Sequence, residues 1–334
     1  MRDHAARTRV GLTVRQDTVR ADDDPRIHVT RSGLRALEFQ GRSLRLLPEQ
    51  PAASVLNGRH ASRLRGRGLN FEELRGYLPG DDPRTIDWNV TARTGSPHIR
   101  VFTEERDRPV LLLVDQRMSM FFGTRHNMKS VTAAEAAALI AFRVLDQGDR
   151  IGGIVFGDET VGELRPRKSR QALDRFLLAL ERANHALAAD APAVDPAMSL
   201  NQPLASALRI ARRNHLIVII SDFDEIDALT EKLIGTLSRH NDVVLCPVTD
   251  PISRDIPEGV KLVVSDGSLQ AELDTSSHQT KQSLKTFASE RLSKLLSWQR
   301  RFGVPILPLD SGEDTLPQIL RLTGHRVSIR KRRR

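Results

Sequence analysis

Cysteine is nearly absent from this sequence. Cys246 is the one thiol in 334 residues, so no disulfide within the chain is possible. It lies in the apolar run 242–248 and reads as a buried strand residue, with no neighbour that would activate it. Aromatic residues make up 4% of the chain, too few for a base-stacking platform on single-stranded nucleic acid. No stretch approaches the roughly 18 apolar residues that a membrane span needs. The amino terminus is charged and has no apolar signal core, so the expected location is the cytoplasm, with membrane contact peripheral at most.

Several chemistries lack their residues. There is no G-x-x-x-x-G-K-[ST] loop for nucleotide phosphates and no G-x-G-x-x-G after the first strong strand. The ten histidines show no metal-ligand spacing. No catalytic constellation is found, and the chain is read as a non-enzyme.

What is present is charge and a set of strongly apolar strands. The net charge is +9, with 28% charged residues and 39% hydrophobic ones, as in a globular protein. The basic residues concentrate in two places, Arg59 to Arg67 and the tail Arg330 to Arg334. These clusters offer a polyanion reading, nucleic acid or an anionic membrane surface, beside the plainer one of a solvated surface and tail.

The central stretch is 109–119, where Val110 to Val114 are five consecutive apolar residues that end in Asp115. Such a run predicts a strand buried on both faces, as in the middle of a parallel sheet. A second run, 215–223, likewise ends in a carboxylate, Asp222. Between and after them, helical and strand patterns alternate. Helices are predicted at 129–145, 169–183, 204–213, 225–238, 280–302 and 314–323. Further strands are predicted at 150–156, 160–164, around Val244 and at 304–309, with a hairpin at 261–273. This alternation predicts an α/β fold with a doubly wound, mainly parallel sheet.

Gly152 and Gly153 predict close packing against a helix. Ahead of the sheet, residues 1–30 read as a poorly ordered arm. A short helix capped by Ser32 carries Leu34, Leu37, Leu44 and Leu47 and stops at Pro48. Residues 59–108 have no long periodic segment and form an irregular extension, pinned by contacts or functional. The organisation read from the sequence is thus an arm (1–30), an extension (31–108), an α/β domain (109–325) and a basic tail (326–334).

In open α/β sheets ligands bind outside the carboxyl ends of the strands. Asp115 and Asp222 on one rim, with Ser119 as a hydroxyl donor, would suit Mg2+. Equally, both carboxylates would cap their following loops through backbone N–H groups. An aspartyl nucleophile would need a second carboxylate two residues on, where this chain has Arg117.

Residues 68–88 read GLNFEELRGYLPGDDPRTIDW. With Ala92-Arg93, Glu104-Glu105, Asp149 to Gly152 and Ile220 to Phe223, this segment resembles the signature of the bacterial "domain of unknown function 58" family. The core of the match is R-x-Y-x-P-G-D-D-x-R-x-I-D-W. The resemblance implies a von Willebrand factor A-like domain acting as a protein-interaction or adaptor module. Its implied partners are a MoxR-type AAA+ ATPase and other von Willebrand A proteins, in chaperone-like maturation or stress functions.

That fold often carries a metal-ion-dependent adhesion site built from a D-x-S-x-S loop, a threonine and a further aspartate. By resemblance Asp115, Ser119 and Asp222 match three positions. Arg117 stands where the first serine would be, and Asn201 and Gln202 lie nearest the threonine, with Ser199 a little earlier. A guanidinium about 5 Å from a divalent ion would cost roughly 6–7 kcal/mol at an effective dielectric near 20. The expectation is therefore a degenerate site needing no cofactor, with Arg117 in the metal's place, paired to Asp115 or Asp222. Metal-dependent ligand binding is the alternative.

The signature segment adds Arg75, Tyr77, Asp81, Asp82, Arg84, Asp87 and Trp88 as a candidate interaction surface. It forms either a structural lid over the sheet, with Trp88 and Ile86 buried, or a docking surface.

Overall fold

The computed structural model describes residues 24–44, 69–78, 83–104, 108–159, 161–189, 191, 194, 197–253, 261–265, 270–274 and 278–322. The arginine cluster at 59–67, the basic tail, Asp81, Asp82, Leu47, Pro48 and the 266–267 turn lie outside them. The chain divides into two compact units, one of residues 57–108 and one of the remainder.

In the order of the chain the elements are α1 (Arg31–Ala36), α2 (Glu38–Ser43), β1 (Leu69–Gly76), α3 (Trp88–Thr94), β2 (His98–Glu104) and β3 (Val110–Asp115). Next come α4 (Lys129–Asp146), β4 (Ile151–Phe156), β5 (Val161–Arg167), α5 (Arg170–His185), α6 (Asn201–Ile210) and β6 (Leu216–Ser221). The chain continues through α7 (Ala228–Ser238), β7 (Asp242–Thr249), β8 (Lys261–Ser265), β9 (Gln270–Asp274), α8 (His278–Phe302), β10 (Leu309–Asp310) and α9 (Thr315–Leu322).

In the larger unit six strands form one sheet in the order β5-β4-β3-β6-β7-β10. All neighbours are parallel except β5, which runs antiparallel on the edge. Counted by appearance this is the order 3-2-1-4-5-6, a doubly wound sheet whose winding reverses between β3 and β6. It is the doubly wound, mainly parallel sheet that the alternating pattern predicts. The reason is visible in β3, whose six residues are all buried. Val110, Leu112 and Val114 join the core under α4, α5 and α9, while Leu111 and Leu113 join the core under α6, α7 and α8. A strand sandwiched between helices on both faces has no polar side to show, hence its unbroken apolar run.

Gly153 is where a helix comes closest, since a Cβ there would sit 2.3 Å from Phe176 Cε2 on α5. Gly152 instead lies against the β5 backbone, 2.5 Å from Leu164 O, beside a bulge in the β4–β5 pairing. The expected strand at 304–309 is shorter than read: only Leu309–Asp310 pairs as a strand, preceded by a bridge from Ile306 to Leu245.

At the amino terminus the structure departs from the expectation in three respects. The helix after Thr30 is two short ones broken at Leu37, and its cap is Thr30, whose Oγ1 accepts from Gly33 N at 3.1 Å. Ser32 sits inside α1 and touches Thr30 Oγ1 instead. These helices group with the sheet unit, not with residues 57–108. Residues 24–30 are a packed segment, with His28 and Val29 buried.

The smaller unit contains regular structure where none was read. β1 and β2 pair antiparallel, with α3 between them. A bulge between Phe71 and Glu73 shifts β1 out of strict alternation, which hid the strand from a period-two reading. Asp87 is buried and caps α3, accepting from Asn89 N at 2.9 Å and Val90 N at 3.2 Å. Trp88, expected to be buried, is 70% exposed, and Ile86 is only half-buried. The capping geometry explains this: Trp88 is the first residue of α3, and the buried apolar position is Ile99, bridged to Ile86.

Candidate functional site

The carboxyl end of the sheet at the β3–β6 switch holds a buried cluster of charged side chains. Asp115 closes β3 and is fully buried, and Asp222 follows β6 and is nearly so. Arg117 folds back onto Asp115. Its Nη2 lies 2.8 Å from Oδ2, its Nε 3.1 Å from Oδ1, and its backbone N donates to Oδ1 at 2.9 Å. Its Nη1 reaches the Met198 carbonyl at 3.1 Å, in the segment ahead of α6. The guanidinium carbon sits 5.9 Å from the centre of the Phe156 ring. The planar fork is what lets one side chain serve a carboxylate and a carbonyl together.

Asp222 has a different cation. Lys129, the first residue of α4, places Nζ 2.7 Å from Asp222 Oδ2. Arg117 Nη2 is 3.9 Å from Asp222 Oδ1, and Ser119 Oγ donates to that same oxygen at 3.4 Å. Behind them Arg291 on α8 donates to the Asp222 carbonyl at 3.1 Å and pairs with Asp224. Ser221 Oγ donates to Asp115 Oδ2 at 2.6 Å and accepts from Phe223 N at 2.9 Å. Phe223 and Glu225 hold positive φ of 54°, a strained loop around Asp224.

The electrostatics follow from this packing. Burial opposes charging Arg117, but the field and hydrogen bonds of Asp115, then Asp222, outweigh it and raise its pKa above the usual value. Burial would likewise raise Asp222, yet Lys129, then Arg117 and Arg291, hold it down, to about 2. Asp158, beyond β4, accepts from Met118 N at 2.8 Å, and burial pushes its carboxyl above the ordinary range.

The residues singled out by sequence fall into two groups. Asp115, Arg117, Ser119 and Asp222 meet here, whereas Arg75, Tyr77, Arg84, Asp87 and Trp88 belong to the smaller unit. The positions nearest the threonine do not reach the carboxylates. Asn201 bonds Asp227 at 3.1 Å and Thr230 at 2.8 Å, and Gln202 accepts from Ser199 at 2.8 Å. The acidic run after β6 is divided in role: Asp222 is buried, Asp224 is paired to Arg291, and Asp227 caps α7.

Lys129, Ser221, Asp158 and Arg291 were not singled out from the sequence. A lysine opening an Ala-rich helix looks like any solvated first-turn residue, and only the fold brings it to Asp222. Cys246 is buried within β7, and burial pushes its thiol up to about 12, so it takes no part.

Comparison with known proteins agrees with the signature. The chain is 30% identical over 290 residues to uncharacterized proteins of Mycobacterium bovis and Mycobacterium tuberculosis, covering 85% of this chain and 88% of each of theirs. Among solved structures it is similar to the conserved hypothetical protein BatB from Bacteroides thetaiotaomicron, at 13% identity and a TM-score of 0.39, over 64% of this chain and 95% of that one. The model of the family described as "Protein of unknown function DUF58" matches residues 73–293, and the chain belongs to that family.

Proposed function

We infer that the chain is a non-enzymatic interaction module whose rim site is filled by its own cations. The observation that carries this reading is the double pairing of Arg117 with Asp115 and Lys129 with Asp222. A carboxylate engaged by a guanidinium and a serine hydroxyl is poorly placed to act as a base or nucleophile. The donor set Asp115, Ser119 and Asp222 is gathered, but its oxygens already accept from Arg117, Ser221, Lys129 and Ser119. Mg2+ would have to displace one ammonium or guanidinium to enter, so the arrangement does not suit the metal-dependent alternative.

The signature segment supplies a second surface. Trp88, Leu78 and Leu74 are exposed in the smaller unit, at 70%, 57% and 41%. Exposed aromatic and aliphatic side chains beside charged ones favour docking over a lid. The partner that family resemblance implies is a MoxR-type AAA+ ATPase. Among the described residues no helix is long and apolar enough to cross a membrane.

The test is co-purification with a MoxR-type ATPase encoded beside it, in each nucleotide state, with the unmodified chain and with Trp88→Ala. A complex that Trp88→Ala abolishes in a folded protein supports docking through the signature. Absence of any complex in all nucleotide states counts against the adaptor role.

A further inference from the structure

The loop that carries Arg117 is held from outside the sheet. Residues 24–30 run as a strap beside the start of α4 and the end of α5, and its hydrogen bonds lead to the residues that flank both cations of the rim site. Arg26 O accepts from Met128 N at 2.9 Å, one residue before Lys129. Val29 N donates to Asn184 Oδ1 at 2.8 Å, and Asn184 Nδ2 donates in turn to Gln116 Oε1 at 2.9 Å. Gln116 stands between Asp115 and Arg117, and its Nε2 donates to Ser130 O at 2.9 Å, one residue after Lys129. Asn184 is fully buried, and so is Gln116.

The strap is itself locked by rings. His28 is buried and stacks on Phe121, 5.6 Å away, and on His185, 5.0 Å away. Phe121 closes the single turn Met118–Met120 that follows Arg117. His185 Nε2 meets Val29 O at 2.8 Å and His28 Nδ1 meets Asn184 O at 3.2 Å; as carbonyls only accept, both ring nitrogens donate.

We propose that the strap Asp24–Thr30 is a conformational clasp for the rim site, holding the loop 116–121 and the first turn of α4 where Arg117 reaches Asp115 and Lys129 reaches Asp222. The physical reason is that β3, β4 and β6 fix Asp115 and its sheet neighbours, whereas beyond Gln116 the loop has no sheet bond and relies on the strap together with single contacts such as Met118 N to Asp158. The buried amide pair Asn184–Gln116 is a relay in a low-dielectric interior, where each bond left unmade is costly. Displacing the strap takes from Asn184 Oδ1 its Val29 N–H donor and from the Met128 N–H its Arg26 acceptor, which frees the buried amide that orients Gln116 and loosens the loop while the two cores stay packed. A partner or ligand acting on the strap would therefore change what the rim presents without touching it.

Hydrogen exchange of the full chain tests this. Val29→Pro removes the backbone N–H that donates to Asn184 Oδ1, and His28→Ala removes the stacking on Phe121 and His185. In both variants exchange in peptides covering 116–121 and 128–132 should accelerate about five- to tenfold, the equivalent of one hydrogen bond lost from a local opening. Exchange in β6 and β7 should be unchanged. Unchanged loop exchange in both variants overturns the clasp, and so does acceleration spread equally through β6 and β7, which would mean a merely structural contribution to the whole fold.

Discussion

Lys129 and Asp222 are 93 positions apart in sequence, and their side chains meet at 2.7 Å beneath the rim of the sheet. One opens the helix after the first central strand and the other follows the second, so the pair bridges the switch point of the fold. With Arg117 on Asp115 it makes a rim whose carboxylates are met by protein cations.

This pairing contributes to the acid limb of stability. The carboxyl of Asp222 is depressed to about 2 from an ordinary 3.8, so it favours the folded state above its unfolded value and loses that contribution as pH falls from about 4 toward 2. The linked stability is on the order of 2 kcal/mol. Chemical denaturation between pH 6 and 2.5 should show this decline, and Asp222→Asn should flatten it.

Glu135 works in the opposite direction. Burial raises its carboxyl above 4.5, partly offset by the Thr315 hydroxyl, so its contribution is present at low pH and lost as pH rises through the folded value. Glu135→Gln should therefore gain stability relative to the unmodified chain at neutral pH, and the gain should vanish near pH 4. Paired denaturation curves at the two pH values check the sign.

Removing Arg117 alone should be expensive. Arg117→Met leaves Asp115 buried with only Ser221 Oγ and backbone donors, and breaking such a pair costs about 3–5 kcal/mol. The double change Asp115→Asn with Arg117→Met should recover much of this, because no uncompensated charge remains. Arg117→Lys should not, since an ammonium cannot serve both Asp115 and the Met198 carbonyl. Equilibrium unfolding of the three variants decides it.

Gly153→Ala should destabilise by about 1–3 kcal/mol, because its Cβ would fall 2.3 Å from the Phe176 ring. Adding Phe176→Leu should restore part of the loss, measured by thermal unfolding.

Much of this was legible in the sequence because buried strands announce themselves. Val110 to Val114 and Leu216 to Ile220 face helices on both sides and so are unbroken apolar runs, and their terminal carboxylates place the rim. Arg117 was legible too, as a cation where the resemblance expects a serine. Lys129, Arg291 and Asn184 were not, because a polar side chain on a helix turn looks the same whether it meets solvent or a buried partner far along the chain. β1 was hidden by its bulge. Trp88 misled because size predicts burial, whereas a first-turn position on a capped helix points it outward.

In the proposed function Arg117 and Lys129 hold the place a divalent ion would take. Titration calorimetry with Mg2+ and Mn2+ on the unmodified chain, beside Arg117→Ser, decides this. A cation-filled rim predicts no saturable heat for the unmodified chain and binding gained only in the variant. Tight, saturable binding by the unmodified chain would contradict it.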